Sequence, residues 1–147
     1  MKSNKNHTVW VGDRLIRTKG GIFSKHHAIY YGKDYNGVDL VAENQNGHGV
    51  RIITLQQFLN AGELLDVKNY YFPLEKQQSI IQKVDKKVGT SYNLWSYNCE
   101  HFVNDVLFEN PISYQIENIK KIARNIILPI LIFMILASIS RKGKNRI

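Results

Sequence analysis

An α+β fold, with a small antiparallel sheet of four to six strands packed on helices, is predicted for this 147-residue chain. Three features predict it. Short β-rich segments separated by turn residues fill the first half of the chain. After Pro73 the apolar residues recur at helical spacing. The only cysteine, Cys99, then opens a second helical run. The length suits one domain of ordinary size, and an apolar share of 44% is that of a globular protein.

The elements follow in order. Asp13 to Arg17 precedes a Lys-Gly-Gly turn and reads as a first strand, and His26 to Tyr31 is rich in β-formers and reads as a second. Asn36-Gly37 is a strong hairpin signal leading into a third strand, Val38 to Glu43. The turn Asn44 to Gly47 gives a fourth, Val50 to Ile53. Thr54 with Gln57 three residues on forms a capping box for a short helix, Leu55 to Leu59, and Leu64 to Tyr71 adds a further strand. These strands imply a meander or a partly closed barrel. Ile80, Ile81, Val84 and Val88 then share one helical face opposite Lys83, Lys86 and Lys87, and Gly89 stops the helix.

Cys99 follows a polar loop, Thr90 to Asn98, and precedes Phe102, Val103, Val106 and Leu107 at helical spacing, the run ending near Asn110-Pro111. Asn98 is a good N-cap, which sets the sulfur in a first helical turn. There free N–H groups and the positive dipole end favour a thiolate. A lone cysteine is more often a small buried hydrophobe than a nucleophile. The surrounding residues weigh against that. Asn98-Cys99-Glu100-His101-Phe102, the strand His26-His27-Ala28-Ile29-Tyr30-Tyr31-Gly32 and the opening Gly12-Asp13-x-Leu15-Ile16 occur in one order. In these motifs the chain resembles the lecithin–retinol acyltransferase-like, or NC-domain, family, which includes the small phospholipase/acyltransferases.

That resemblance implies a circularly permuted papain-like thiol fold with Cys99 as nucleophile and His26 as base. It implies a third polar residue at the end of the third strand, where Glu43 stands, with Asn44 the alternative if the register slips by one. A carboxylate would stabilise the imidazolium, whereas an amide would only orient the ring. Alternation along a strand lets only one of His26 and His27 face Cys99, so His27 reads as a packed histidine. His48 reads as a turn residue, and His101, one turn beyond Cys99, as a residue that fixes the loop.

Net charge is +8 but is uneven. Residues 1–116 hold 13 Lys/Arg against 11 Asp/Glu, whereas residues 117–147 hold 7 against one. The body is nearly neutral, unlike a nucleic-acid-binding face. The uncharged run Ile126 to Ile139 lies between Lys120, Lys121 and Arg124 on one side and Arg141, Lys142, Lys144 and Arg146 on the other. Extended to Ile122–Ser140, with Arg124 snorkelling, it approaches a spanning length, and Pro129 should kink it. The organisation expected is a polar segment 1–11, a catalytic domain 12–112 and a basic-flanked membrane anchor 113–147. Met1 to His7 lacks the apolar core of a signal peptide. With one cysteine no intrachain disulfide forms, which suits a reducing compartment, and the catalytic domain is placed on the cytoplasmic side.

The expected activity is thiol acyl hydrolysis or acyl transfer on glycerophospholipid esters through a Cys99 thioester, with water, an amine or an alcohol as acceptor. The expected partner is a phospholipid membrane, without nucleic acid, cofactor or metal. The His and Cys spacing offers no metal-ligand set. Two alternatives stand beside it. One is a papain-like cysteine peptidase or amidase, and the other a non-catalytic, tail-anchored adaptor.

Overall fold

The computed structural model describes residues 8–19 and 25–144. Met1 to His7 and the glycines of the first turn lie outside them. Four strands, β1 (Arg14–Thr18), β2 (Lys25–Lys33), β3 (Asp39–Gln45) and β4 (Gly49–Thr54), follow one another antiparallel. A fifth, β5 (Leu64–Lys68), returns to the open side of β1, so the order is β4-β3-β2-β1-β5. Edges remain at β4 and β5, which makes the sheet a meander with one returning strand. The predicted hairpin after β2 is built by Asp34, whose carboxylate accepts the N–H groups of Asn36 and Val38 at 2.8 and 2.9 Å.

β5 stops short of Tyr71 because the chain turns toward Asp13. That buried carboxylate accepts the Asn69 side chain at 2.6 Å, the Tyr70 N–H at 3.0 Å and the Trp10 N–H at 2.9 Å. Beside it Gly12 sits at φ +95°, and a Cβ there would stand 2.7 Å from Phe72 and 2.8 Å from Ile80. The Gly12-Asp13 pair is therefore structural. Gly gives the close approach, and Asp collects the N–H groups that the end of the sheet leaves over.

Helices cover both faces. Helix α1 (Leu55–Asn60) starts with the predicted capping box, Gln57 N–H to Thr54 Oγ1 at 3.1 Å and Thr54 N–H to Gln57 Oε1 at 3.0 Å. Its Phe58 packs with Leu15, Ala28, Tyr30 and Val41. Helices α2 (Leu74–Lys87) and α3 (Cys99–Phe108) cover the other face, where Ile80, Val84, Phe102, Val103, Val106 and Leu107 meet Ile29, Ala42 and Val50. Helix α3 ends at Glu109, which takes the left-handed conformation at φ +57° and returns its N–H to Asp105 O.

Residues to Ser113 form one compact unit, and Tyr114–Ile147 forms a second. The second comprises α4 (Tyr114–Ile122), a π turn (Ala123–Ile127) and α5 (Leu128–Lys144). Its stretch Tyr114–Ile139, 26 residues holding an 18-residue window of mean hydropathy 2.3, is long and apolar enough to cross a membrane. The helix begins well before the predicted apolar run and stays helical through Pro129. Proline lacks an N–H and crowds the carbonyl four residues back, at Asn125. The wider turn just before it, where Leu128 N–H bonds to Ala123 O, makes that room.

Phe102, fully buried between α3 and the sheet, should be the costlier truncation of that core. Phe102→Ala is expected to lower unfolding free energy by about 3–5 kcal/mol, measured by urea denaturation.

Candidate active site

Backbone pairing decides where the sulfur lies. Tyr30 N–H bonds to Asp13 O at 2.8 Å, toward β1. By alternation the N–H groups of Ala28 and His26 also face β1, and those of Ile29 and His27 face β3. The β2–β3 ladder ends at Ala28↔Glu43, while Asn44 and Gln45 continue only with β4. The His27 N–H is thus the first donor past the ladder, and it hydrogen-bonds to Cys99. Cys99 is buried there, with 3% of the residue exposed.

Helix α3 is fixed there by its cap. Asn98 Oδ1 accepts the N–H groups of Glu100 and His101 at 2.9 and 3.1 Å, and His101 Nδ1 accepts the Asn98 N–H at 3.2 Å. Asn98 Nδ2 donates to Leu94 O and to Ser113 Oγ, and Ser113 Oγ donates to Glu100 at 2.8 Å. Asn44 donates to Tyr97 O at 2.7 Å. Asn44, the alternative third residue, therefore holds the loop before Cys99. His101 closes the cap and His48 is an exposed turn residue.

Glu43 and His26 meet. His26 Nε2 donates to Glu43 Oε2 at 2.7 Å, with both side chains at most 1% exposed. Glu43 Oε1 accepts Arg51 Nε at 2.9 Å and Nη2 at 2.8 Å. Arg17 Nη2 stands 3.9 Å from Oε2, and its Nη1 donates to the carbonyls of Thr18 and Ala61. The Arg17 guanidinium lies 4.9 Å over the Phe58 ring, which is 5.9 Å from the His26 ring. These groups share the α1 face, since Arg17↔His26 and Glu43↔Arg51 are cross-strand partners. The two arginines have no motif to announce them. Arg51 was reachable only by pairing β3 with β4 across the Asn44–Gly47 turn.

The His27 ring, by the same alternation, lies on the α3 face with Ile29. Both its nitrogens are buried without a partner, whereas His26 has only Nδ1 open. The structure thus brings Glu43 to His26, and brings Cys99 to the main chain of the adjacent residue. His26 is the imidazole with an orienting carboxylate.

Burial dominates the titration of this group. It pushes the Cys99 thiol up, against the opposing pull of the His27 N–H and the Lys19 charge. The thiolate expected from the helix N-terminus therefore gives way to a thiol, because desolvation outweighs dipole and hydrogen bond. Burial also lowers His26, despite the Glu43 hydrogen bond. Burial pushes Glu43 up, but the bonds from His26 and Arg51 more than reverse it, and its pKa lies below the ordinary value. The resting arrangement is a thiol, a neutral imidazole and an ionised carboxylate.

A family model described as permuted papain-like amidase enzyme, YaeF/YiiX, C92 family, matches residues 12–128. The chain belongs to this family. Membership accounts for the permuted papain-like thiol fold and indicates a cysteine hydrolase. The match is to an amidase family and not to the lecithin–retinol acyltransferase-like one. No curated protein matches the chain.

Burial lowers His27 to about 4. The unfolded chain, with an ordinary imidazole, binds the proton more readily, so the stability from keeping His27 neutral is full above about pH 6.5 and is lost as pH falls through 4. Urea unfolding should show stability declining from pH 7 to 4. His27→Phe should flatten that decline by up to about 3 kcal/mol.

Proposed function

We propose that this C92-family protein is a thiol-dependent amidase in which Cys99 attacks an amide carbonyl, His26 relays the proton and Glu43 holds the imidazole. The observation that carries the reading is the buried 2.7 Å His26–Glu43 pair one residue from the strand N–H that touches Cys99. Attack forms the C–S bond while the thiol proton passes to His26 Nδ1, the ring nitrogen left without a partner. Collapse of the tetrahedral intermediate breaks the C–N bond, and the imidazolium protonates the departing amine. Water, deprotonated by the same ring, then hydrolyses the thioester. Asn98 already takes the N–H groups of Glu100 and His101, and Phe102 N–H bonds to Asn98 O at 3.0 Å. That leaves the Cys99 N–H as the donor of the first turn to hold the oxyanion.

The apolar helix Tyr114–Ile139 favours a second reading at the same site. In it the acyl group comes from a glycerophospholipid ester, with water, an amine or an alcohol as acceptor, and the C-terminus tethers the protein to its substrate surface. A cytoplasmic catalytic domain and membrane attachment through the C-terminus accord with either reading.

Purified full-length protein in detergent should release amine from N-acyl amides or isopeptides, with phosphatidylcholine vesicles run in parallel. Cys99→Ala and His26→Ala should abolish turnover, and Glu43→Gln should reduce it by about 10²-fold or more. His27→Phe should retain most of it. An acyl adduct on Cys99 in mass spectra identifies the donor. Undiminished turnover by Cys99→Ala would refute the nucleophile. A folded protein inert to amides and esters alike would return the chain to the adaptor reading.

A further inference from the structure

Glu43 is a carboxylate with 1% exposure that serves two cations and one imidazole. Its oxygens are divided between them. Oε2 faces His26, and Oε1 is occupied by both Nε and Nη2 of Arg51. Arg17 does not duplicate this. Its Nη1 is committed to the carbonyls of Thr18 and Ala61, its Nη2 stays 3.9 Å from Oε2, and its plane is held over Phe58.

We propose that Arg51 is a positioning residue for the His26–Glu43 pair, holding Oε1 so that Oε2 alone meets the imidazole, and holding the carboxylate in its charged form inside the sheet. The proposal rests on the amidase reading of the site. The charges bearing on the pair come from several elements. They are Arg17 and Lys19 from β1 and the residue after it and Arg51 from β4, while the Cys99 sulfur of α3 bears on Arg17. Helix α1, Leu-Gln-Gln-Phe-Leu-Asn, covers this face and adds no titratable group. Of the two arginines touching Glu43, Arg17 is buried with a 5% exposed side chain, whereas 36% of the Arg51 side chain is exposed. Arg51 reaches in from the solvent rim, so it can be replaced without opening the core. Without it, a proton on Glu43 would no longer be opposed by the charge of its closest cation. An added proton on His26 would also be freed from the repulsion of that same charge. Both effects move loss of the base to higher pH.

Cys99 is the only thiol in the chain, so iodoacetamide alkylation of the full-length protein reads the pair without any assumption about substrate. The pH–rate profile is compared for wild type, His26→Ala, Arg51→Ala, Arg51→Gln and Arg51→Lys, with amide turnover measured beside it. The acidic limb should move up by roughly one pH unit in Arg51→Ala and Arg51→Gln, with turnover falling together with it. Arg51→Lys, which keeps the charge, should recover most of the shift. If Arg51→Ala fails to fold, Arg51→Gln against Arg51→Lys makes the same comparison. Profiles of the Gln and Ala variants that superimpose on wild type, while His26→Ala departs from it, would overturn the role of Arg51 alone. A His26→Ala profile identical to wild type would instead overturn the Cys99–His26 reading beneath it.

Discussion

A buried carboxylate must be paid for, and Glu43 organises the sheet around that requirement. Isolated, an ionised carboxyl in an apolar interior would protonate. Here β1, β2 and β4 each send one nitrogen-bearing side chain to it: Arg51 from the position paired with Glu43, His26 from two residues beyond its β2 partner Ala28, and Arg17 from the position paired with His26. The charge is thus compensated by residues that the sheet register places side by side. A slip of one residue in any pairing would turn a partner to the opposite face. The register of the sheet and the protonation state of the site are one constraint.

Cys99 depends on the same register for a different reason. Where β3 leaves β2 after Glu43, the His27 N–H would be an unsatisfied buried donor. The first turn of α3 fills that gap with sulfur. The Asn98 cap, the Asn44–Tyr97 bond and the Ser113–Glu100 bond hold the turn in place. None of these residues need touch a substrate. They determine where the first turn of α3, and with it Cys99, is held.

Much of this was legible. The turn residues marked the strands, Thr54 and Gln57 marked α1, and the resemblance offered Glu43, with Asn44 as the alternative, as the third residue; Glu43 is the one that hydrogen-bonds to His26. What escaped were effects that depend on distant parts of the chain. Arg17 and Arg51 lie in strands whose local pattern looks ordinary, and only the register shows them to be cross-strand partners of His26 and Glu43. The thiolate inferred from the helix start failed because local reasoning sees the dipole but not the desolvation by the packed sheet. Alternation separated the two histidines, yet the one on the α3 face is His27. The cysteine meets its backbone, a contact that side-chain patterning does not encode.

The π turn ahead of Pro129 also has a geometric effect. One added residue in a turn rotates everything beyond it by about 100° relative to an unbroken helix. An amphipathic helix docked on a protein core would be thrown out of phase by such a slip, its greasy stripe facing water on one half. Between Ile126 and Ile139 there is no stripe to misalign, since every side of the rod is aliphatic or aromatic apart from one serine. Surroundings alike in all directions, as hydrocarbon chains are, leave that rotation without energetic consequence.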